Sequence, residues 1–566
     1  MGYIFSYMKK FKFRITIQMI IKITGTLMDL ILPWILAYLI DEIVPLKDIG
    51  LIYKYGLIML FCAFIGISGN IIANRSAAKI ARNVTTNLRH DLFSKIMNLS
   101  PKQIDDETIP SLVYRMSSDT YNVYHMIGML QRIAVRAPIL LIGGICLTFT
   151  LDPILTLVLL AILPFITLVA ISASKKSIKY FNEVQKSNDQ MITTARENAT
   201  GIRVIKALKT EDYEIDRFDR NNLDVLRKSK KANITMAIVN PMLTLLLNIA
   251  LCFIVLFGAY RVNVGETEPG KIVAFLSYVT IILNAMMTLT RIFLVLSKAS
   301  ASATRIKKIL DLETGLEILE IEEKNSDYKI EFNNVSFSYL KVEDNLSDIS
   351  FKVKEGESLG IIGATGSGKS TIINLLMRFY DCDKGEILID GKNIKSYNLK
   401  DLRKKFGVVF QQDTLFSDSI YENIDFGRKM LFNNILESTK NAQAEEFIRE
   451  LPDLYQTKLN ARGTNLSGGQ RQRILLSRAL AGKNEILILD DSSSALDYKT
   501  DANLRSELNK ISSTKIIIAQ RISSIKHCQT IIVVDEGKII DMGNHDYLMK
   551  NSSLYQLIYK TQMGVE

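Results

Sequence analysis

The chain has 566 residues, a formal net charge of +11 and a hydrophobic content of 48%. A chain of this length is too long for one hydrophobic core, so at least two domains are expected. The apolar residues are concentrated in the first half, and their long runs favour a membrane over nucleic acid as the partner of the basic charge. The five cysteines have irregular spacing, which indicates neither a metal site nor a disulfide framework.

The first half of the chain contains six apolar stretches, each long enough to cross a membrane as a helix of about 20 residues. Short connections join these stretches in pairs, whereas two other connections are long and rich in Lys and Arg. Basic loops tend to stay in the cytoplasm, so both termini are expected there, with the chain in a bacterial inner (cytoplasmic) membrane. The predicted spans are residues 15–40, 53–73, 133–151, 154–174, 234–260 and 272–296.

Charged residues interrupt two of the apolar stretches. Lys22 in the first stretch is expected near the inner interface, which leaves Asp29 in the first stretch and Arg291 in the sixth to be explained. A charge at the centre of a membrane costs about 2.5–3.5 kcal/mol on insertion scales, so each side chain should face other helices or an aqueous cavity. Two interpretations stay open for both residues. Each could have a structural partner, or each could line a substrate cavity in which Asp29 would contact a cationic solute.

The character of the sequence changes after residue 312. Residues 313–327 are acidic and weakly patterned, as expected of a linker. From residue 328 onward, short β-branched runs alternate with helical segments, which is typical of an α/β nucleotide-binding domain. The expected organisation is a transmembrane domain at 1–312, a linker at 313–327 and a nucleotide-binding domain at 328–566.

Residues 363–370 read GATGSGKS and match the phosphate-loop pattern G-x-x-x-x-G-K-[ST]. A buried strand is predicted before the loop and a helix after it, which is the setting that this pattern requires. The N–H groups of the loop and of the helix N-terminus would bind phosphate oxygens. Lys369 would reach the outer phosphates, and Ser370 would offer its hydroxyl to Mg²⁺.

Two further motifs follow the phosphate loop. Residues 466–470 read LSGGQ, and residues 486–489 are an apolar strand that ends at Asp490, where the carboxylate would lie next to Mg²⁺. With these motifs in this order, the chain resembles the ATP-binding cassette (ABC) family, and six spans followed by one cassette resemble an exporter half-transporter. The resemblance covers nearly the whole chain. It implies a polytopic α-helical membrane domain joined to an α/β P-loop nucleotide-binding domain.

Other positions match the family one by one. Tyr339 resembles the aromatic residue that stacks on adenine, and Gln411 resembles the glutamine that senses Mg²⁺. Asp497 resembles the aspartate of the loop that crosses to a partner cassette. By the same analogy, coupling helices are expected near residues 117–121 and 210–218. The resemblance implies that ATP is bound by Tyr339, Gly363, Ala364, Thr365, Gly366, Ser367, Gly368, Lys369, Ser370, Thr371 and Gln411. It implies that Mg²⁺ is bound by Ser370, Gln411 and Asp490. It implies that the ATP of a partner subunit is bound by Ser467, Gly468, Gly469 and Gln470.

The sequence departs from the family at both catalytic positions. The residue after Asp490, usually a glutamate that activates water, is Asp491, whose carboxylate is one methylene shorter. The switch position, usually histidine, is Gln520, which cannot carry an imidazolium charge. Proton abstraction needs heavy-atom distances of about 2.6–3.2 Å, so a retracted carboxylate should slow hydrolysis. The departures predict a degenerate ATP site in this chain, although a fully active site with neutral substitutions is the alternative.

The predicted function is that of a subunit of an ATP-driven, multidrug-type exporter, an ATP hydrolase coupled to transport of hydrophobic or amphipathic, drug- or lipid-like solutes. The intact signature predicts a heterodimer, in which this chain completes the hydrolytic site of a second ABC half-transporter. ATP and Mg²⁺ are the implied cofactors, and the lipid bilayer and a small-molecule substrate are the other partners, without nucleic acid. The alternatives are a homodimeric exporter with two slow equivalent sites, and an ATP-gated channel or regulatory membrane protein.

Overall fold

The computed structural model describes residues 2–313 and 315–563. Within these ranges, the side chains of some helical positions are left undescribed, namely 170, 173–175, 177, 178, 236, 239, 240, 243, 290, 291, 293, 294 and 563. The chain divides into two compact units. The first unit comprises Met1–Asn98 and Glu107–Glu313, and the second comprises Leu99–Asp106 and Thr314–Glu566.

The first unit is helical throughout its described part. Its helices are α1 (Gly2–Lys9), α2 (Lys12–Tyr38), α3 (Ile49–Met97), α5 (Ile109–Tyr114), α6 (Thr120–Met129), α7 (Arg136–Leu151), α8 (Pro153–Thr200), α9 (Ile202–Leu208), α10 (Glu211–Asn263) and α11 (Pro269–Leu310), whereas α4 (Pro101–Glu107) lies mostly in the segment that belongs to the second unit. Some short segments are π-helical. Leu39–Ile43 extends α2, Arg115–Asp119 joins α5 to α6, and Leu130–Ala134 lies between α6 and α7.

Aspartate caps fix two of the short connections between these helices. The carboxylate of Asp48 accepts hydrogen bonds from the backbone N–H groups of Gly50 and Leu51 at the start of α3. The carboxylate of Asp152 does the same for Ile154 and Leu155 at the start of α8. Such caps satisfy N–H groups that the first turn of a helix leaves without a partner. The chain can therefore reverse its direction within a few residues, as the sequence predicts.

Five helices of the described part are long and apolar enough to span a membrane, and the apolar stretch Pro153–Val169 is shorter. The five are Lys12–Leu46, Ile49–Met97, Ile109–Leu151, Thr244–Asn263 and Pro269–Leu289. The fourth predicted span, residues 154–174, thus begins in the shorter stretch and runs into positions whose side chains are not described. Many large apolar side chains of this unit are exposed, which fits a lipid environment better than water.

A hydrophobic core of the first unit is built from buried residues of α2, α8, α10 and α11, with α7 packed against it, and α3 approaches α2 closely. A Cβ atom at Gly25 of α2 would lie 3.2 Å from the carbonyl oxygen of Gly66 in α3, so the small residues permit this approach. Between α2 and α11, the buried hydroxyl of Tyr278 donates a hydrogen bond to the carbonyl oxygen of Leu30 at 2.6 Å. In lipid such a bond satisfies a polar atom that water cannot reach.

The coupling helix expected near residues 117–121 is not found there. Those residues belong to the π-helical segment and to the start of α6, and Asp119 is buried in an ion pair with Arg305 of α11. The segment that packs with the cassette is instead Leu99–Asp106, which carries most of α4. The resemblance thus pointed to the correct connection but to the wrong part of it. The expectation near 210–218 falls on the start of α10, directly after the short helix α9.

The second unit is an α/β domain with two sheets. Its strands are β1 (Ile330–Phe337), β2 (Leu346–Val353), β3 (Ser358–Ile362), β4 (Lys384–Ile389), β5 (Lys392–Asn393), β6 (Phe406–Val409), β7 (Ile486–Asp490), β8 (Thr514–Ile518), β9 (Thr530–Asp535) and β10 (Lys538–Gly543). Its helices are α12 (Lys369–Leu376), α13 (Leu399–Lys404), α14 (Ile420–Asp425), α15 (Phe432–Asn441), α16 (Glu445–Arg449), α17 (Gly468–Leu480), α18 (Tyr498–Asn509), α19 (Ile522–Ile525), α20 (His545–Asn551) and α21 (Ser553–Met563).

The larger sheet has the order β10-β9-β3-β8-β7-β6, and its pairs from β9 to β6 are parallel. Buried β-branched and leucine residues fill β3, β7 and β8, as expected for strands covered on both faces. The carboxyl ends of these three neighbouring strands lie at one edge of the sheet. Ligands bind at this edge in open α/β sheets, so the fold brings the ends of β3, β7 and β8 to one candidate site.

Candidate nucleotide-binding site and membrane cavity

The phosphate loop connects β3 to α12 in the predicted strand–loop–helix order. In this structure, the ammonium group of Lys369 donates hydrogen bonds to the carbonyl oxygens of Gly363 and Ala364, at 2.9 and 2.6 Å. The ammonium group of Lys369 thus lies against the loop in which the phosphate oxygens are expected to bind. Burial lowers the pKa of Lys369, while the carboxylates of Asp490 and Asp491 oppose that shift.

Glycine is required at two positions of this loop because the backbone of neighbouring segments comes very close. A Cβ atom at Gly363 would lie 2.0 Å from the carbonyl oxygen of Val534. Gly368 has a φ of +100°, and a Cβ atom there would lie 2.6 Å from a methyl carbon of Leu346. A side chain at either position would therefore push the loop away from these neighbours. The loop needs its present conformation because its N–H groups must be directed towards the ligand.

A cavity of about 180 Å³ lies against the loop. The residues that line it are Asn345, Thr365, Gly366, Gly368, Lys369, Ser370, Thr371, Gln411, Asp490, Asp491, Ile518 and Gln520. These side chains come from the phosphate loop and from the ends of β6, β7 and β8, which the parallel sheet places side by side. Both positions at which the sequence departs from the family, Asp491 and Gln520, are therefore in the same cavity as Lys369.

The oxygen atoms expected to bind Mg²⁺ lie next to each other. The hydroxyl of Ser370 donates a hydrogen bond to a carboxylate oxygen of Asp490 at 3.0 Å. Hard oxygen atoms of this kind are the ligands that Mg²⁺ prefers, and the ion usually keeps further positions for water and phosphate. Burial raises the pKa of the Asp490 carboxyl, against the hydrogen bond from Ser370. The residues present fit a Mg²⁺ ion, which would neutralise this buried carboxylate and the charge of the phosphates.

Asp491 follows the end of β7 and has a φ of +50°, a region that non-glycine residues rarely adopt. Its side chain lies near Gln520, whose amide nitrogen is 3.4 Å from a carboxylate oxygen of Asp491. Burial raises the pKa of the Asp491 carboxyl, while the nearby charges of Arg521 and Lys369 lower it. The pair consists of a carboxylate and a neutral amide, so Gln520 contributes a hydrogen-bond donor but no charge.

Tyr339 lies beside the cavity. Its hydroxyl accepts a hydrogen bond from the side-chain amide of Asn374 at 3.1 Å and lies 3.5 Å from the hydroxyl of Thr371. The rings of Phe337 and Tyr380 both contact the ring of Tyr339 edge-on, and 37% of Tyr339 remains exposed. The stacking of this ring on adenine, expected from the sequence, stays a prediction.

The signature residues do not line the cavity that contains the chain's own phosphate loop, within the part of the chain that the structure describes. Ser467 caps α17, and its hydroxyl accepts a hydrogen bond from the backbone N–H of Gln470, whose side chain bonds back to the N–H of Ser467. This capping box leaves the N-terminus of α17 at the surface. Asp497 likewise caps α18 through the N–H of Thr500.

The sequence analysis did not single out Gln472, which connects α17 to the segment that follows β7. Its amide nitrogen donates a hydrogen bond to the carbonyl oxygen of Asp491, and its amide oxygen accepts one from the N–H of Ala495, each at 3.0 Å. The only signal in the sequence is its position five residues after Ser467, on the first turns of α17. The two hydrogen bonds hold residues 491–495 against this helix.

The first unit contains a separate cavity of about 590 Å³. It is lined by Lys22, Asp29, Asn74, Arg132, Ile133, Arg136, Ala137, Leu140, Ile281, Asn284, Ala285 and Thr288. Asp29 is thus a cavity residue, and it also has a structural partner, because the guanidinium of Arg136 lies 2.9 Å from its carboxylate. The other candidate for this cavity, Arg291, has a side chain that lies outside the described part of the structure.

Comparisons with known proteins agree with both units. Residues 15–286 match the family described as ABC transporter transmembrane region, and residues 346–494 match the family described as ABC transporter. The chain is 34% identical to the uncharacterized ABC transporter ATP-binding protein YfiB of Bacillus subtilis over 565 residues, which cover 99% of this chain and 98% of YfiB. It is 31% identical to the ATP-dependent lipid A-core flippase 1 of Colwellia psychrerythraea, over 93% of this chain and 91% of the flippase.

The fold also matches a solved structure over almost its full length. A bacterial Atm1-family ABC exporter with ATP bound superposes with a TM-score of 0.83 at 23% identity, and the match covers 97% of this chain and 98% of the exporter. The fold is that of an exporter half-transporter, a helical transmembrane domain followed by an α/β nucleotide-binding domain. The sequence relatives and the two family matches show that this chain belongs to the ABC transporter family.

Proposed function

We propose that this chain is one subunit of an ATP-driven exporter that moves hydrophobic or amphipathic, drug- or lipid-like solutes out of the cytoplasm. ATP binding would bring two cassettes together, and the membrane helices would respond by alternating between inward-open and outward-open states. The exporter fold supports the direction of transport. The basic residues in the long connections support an inner (cytoplasmic) membrane location with both termini in the cytoplasm.

The chemistry of the chain's own ATP site favours slow hydrolysis. Lys369 and the loop N–H groups bind and orient the phosphates, Ser370 and Asp490 hold the Mg²⁺ ion, and Gln411 extends from the same cavity wall. Mg²⁺ supplies charge neutralisation at the phosphates when it is bound. Asp491 would orient and deprotonate the attacking water, but its carboxylate is one methylene shorter than that of glutamate. Because a general base contributes about 10²–10⁴-fold to rate, a misplaced one is a substantial loss.

The signature sequence gives the proposal its second part, a heterodimer with another ABC half-transporter. Ser467 and Gly468 are exposed at the N-terminus of α17 and lie outside the cavity of their own phosphate loop. A helix N-terminus with exposed N–H groups is suited to the phosphates of a second nucleotide. This chain combines an intact signature with a weakened catalytic pair. The signature would therefore complete an active ATP site only with a partner that supplies its own phosphate loop and a glutamate.

The observation that carries the degenerate-site proposal is the pair Asp491 and Gln520 beside Lys369 in one cavity. The test is steady-state ATP hydrolysis by the purified chain in lipid nanodiscs, alone and with whichever half-transporter co-purifies from the source organism. We expect slow hydrolysis alone and fast hydrolysis in the pair, where Ser467→Ala in this chain should reduce the rate far more than Asp491→Asn does.

Fast hydrolysis by the chain alone, insensitive to Asp491→Asn, would reject the degenerate site. Slow hydrolysis by the chain alone, with no partner in the membrane, would favour a homodimer with two slow sites. Transport decides between a pump and an ATP-gated channel. A pump accumulates solute in sealed vesicles against its gradient, whereas a channel only brings the two sides to the same concentration.

A further inference from the structure

The membrane cavity defined above is more cationic than its carboxylate can balance. Its described lining contains three basic side chains, Lys22, Arg132 and Arg136, and one acidic side chain, Asp29. Arg136 forms an ion pair with Asp29, and the amide of Asn70 also donates a hydrogen bond to that carboxylate at 3.3 Å. The acidic group is therefore already paired, and a cationic solute would have to displace Arg136 to reach it.

The other two basic groups have only neutral partners among the described residues. The ammonium of Lys22 donates hydrogen bonds to the side-chain oxygens of Asn70 and Asn74, at 2.7 and 3.1 Å. The guanidinium of Arg132 donates one to the carbonyl oxygen of Gly128 at 2.9 Å. Neutral acceptors hold these side chains in place without cancelling their charges. Ionisable groups inside membrane segments usually mark the path of a polar or charged substrate.

The basic residues lie at a different level of this cavity from Leu140 and Ile281, whereas the acidic Asp29, about 14 Å from the end of α2, lies at the level of those two apolar residues. The short connections mark one end of the helical unit, and a helix rises about 1.5 Å per residue from there. On that scale, Lys22 lies about 24 Å from the end of α2 and Arg132 lies about 28 Å from the end of α7, close to the far boundary of a hydrocarbon core that is ~30 Å thick. Leu140 and Ile281 lie nearer the short connections, at about 16 and 18 Å.

The cavity therefore has a basic level at one end, and at the other it has the apolar side chains of Leu140 and Ile281 together with the carboxylate of Asp29, which is already paired with Arg136. On the proposed orientation, the basic level is the one nearer the cytoplasm, where an anionic headgroup from the inner leaflet would enter. We propose that the cavity takes an amphiphile with an anionic headgroup, a phosphate or carboxylate bound by Lys22 and Arg132, and an apolar chain bound along Leu140 and Ile281. This inference rests on the proposed exporter function and names its substrate class.

The test is equilibrium binding to the full-length chain in nanodiscs made of zwitterionic lipid, without ATP. The probes are NBD-labelled phosphatidic acid, NBD-dodecanoate, NBD-phosphatidylcholine and the cation rhodamine 6G. We expect the two anionic probes to bind at least about 10-fold more tightly than phosphatidylcholine. A stronger response to phosphatidic acid than to dodecanoate would identify a phosphate headgroup, and the reverse would identify a carboxylate.

Variants of the cavity residues test whether the preference for anionic probes arises in this cavity. The double variant Lys22→Gln, Arg132→Gln should reduce the preference for anionic probes to within about 2-fold, whereas Lys22→Arg should keep it. Lys298→Gln is the matched control, because Lys298 is an exposed lysine of α11 that does not line the cavity. Nucleotide binding to the cassette reports whether each variant is folded.

Two results would overturn the inference. One is equal affinity for all four probes, and the other is tighter binding of rhodamine 6G that is lost in Asp29→Asn. Either result would leave the exporter proposal standing, because that proposal is decided by ATP-driven accumulation in vesicles. Conversely, a chain that binds anionic amphiphiles but accumulates nothing would reject the pump and retain the cavity assignment.

Discussion

The amide nitrogen of Gln520 lies 3.4 Å from a carboxylate oxygen of Asp491, so the two positions that differ from the family contact each other. A carboxylate and a neutral hydrogen-bond donor are thus paired at the wall of the nucleotide cavity. The contact gives a physical reason to consider the two substitutions together. Restoring the length of the acid should move a carboxylate oxygen towards the attacking water, and restoring histidine should add a chargeable donor near the outermost phosphate.

We therefore predict that Asp491→Glu increases ATP hydrolysis at this chain's own site by about 10-fold or more, and that adding Gln520→His increases it further. The measurement is single-turnover hydrolysis of labelled ATP by the purified chain. Asp348→Glu is a matched control, since Asp348 is also an aspartate with positive φ in the cassette but does not line the cavity. No change in Asp491→Glu would show that carboxylate length does not limit this site.

A second prediction concerns Gln472 and the segment that it holds. In Gln472→Ala, the carbonyl of Asp491 and the N–H of Ala495 lose their side-chain partner, and each lost hydrogen bond costs about 0.5–1.5 kcal/mol. The catalytic aspartate would then be held less firmly, so hydrolysis should fall about 10-fold with little change in ATP affinity. Turnover and nucleotide binding are measured on the same preparation.

Gln556→Ala serves as the control for that experiment, because Gln556 also bonds a backbone carbonyl, that of Met549, but in the C-terminal helices. An equal loss of ATP affinity in Gln472→Ala would mean that the residue supports the whole pocket. In that case its role would not be specific to the position of Asp491.

A third prediction concerns the short segment of the membrane half that packs with the cassette. The hydroxyl of Tyr380 contacts the carboxylate of Asp105 in α4, and burial, with the nearby carboxylate, raises the pKa of that hydroxyl. Tyr380 also contacts Tyr339, the residue proposed to stack on adenine, with ring centroids 5.0 Å apart. A nucleotide under Tyr339 would thus be two side chains away from α4.

Tyr380→Phe removes the hydroxyl and keeps the ring. We expect ATP binding to stay within about 2-fold of the wild type, while substrate stimulation of ATP hydrolysis is reduced, because the hydrogen bond to α4 is lost. Asp105→Asn should have the same effect. Tyr547→Phe in the exposed part of α20 is the control, and normal stimulation in both site variants would show that this contact does not transmit the signal.

Four strands of the parallel sheet were predicted as β-branched runs at residues 358–362, 486–489, 515–519 and 530–534, and β3 matches residue for residue while β7, β8 and β9 match within one residue at each end. These are buried runs of β-branched residues and leucine, whose composition alone distinguishes them from loops. The short strands β5 and β6, the edge strand β10, and the antiparallel strands β2 and β4 were missed. The reason is clearest for β2 and β4. Each carries polar residues among its apolar ones, such as Asp348 in β2 and Glu386 in β4. Their sequences therefore lack the continuous apolar run that identified the predicted strands and resembled a loop.

The nucleotide cavity was predicted from motifs, because each motif has a fixed position at the end of a strand. The cation-rich membrane cavity was not, since Lys22 and Arg132 lie about 110 residues apart in the chain. Nothing in their local sequence shows that α2 and the π-helical segment before α7 bring them to one cavity. The pairing of Asp29 with Arg136 depends in the same way on tertiary packing. For that reason the sequence left open whether Asp29 is structural or contacts a substrate.

The last prediction concerns the stability of the cassette. Lys329 is buried at the start of the first sheet, with 7% of its side chain exposed, and its ammonium lies between Glu485 and Asp390. Burial alone would raise the pKa of Glu485, but hydrogen bonds from Lys329 and Lys405 outweigh it and hold the pKa below its ordinary value of 4.5. The charged glutamate is therefore favoured by folding.

Glu485→Gln should destabilise the cassette by about 1 kcal/mol near pH 7, because it leaves the buried ammonium of Lys329 with Asp390 alone, and because the half-exposed Glu485 is screened by solvent. A group with a lowered pKa in the folded state stabilises fully above its unfolded value of 4.5 and loses that effect as the pH falls through the lowered value. The difference between wild type and variant should accordingly shrink below pH 4.5. Hydrogen exchange of the β1 amides in the full chain measures this difference in stability.

Glu437→Gln is the control. It breaks an ion pair of exposed side chains with Lys483 and should change stability by less than about 1 kcal/mol at any pH. A difference for Glu485→Gln that stays constant down to pH 3.5 would mean that the variant acts through packing, because loss of the carboxylate charge could not then be its cause.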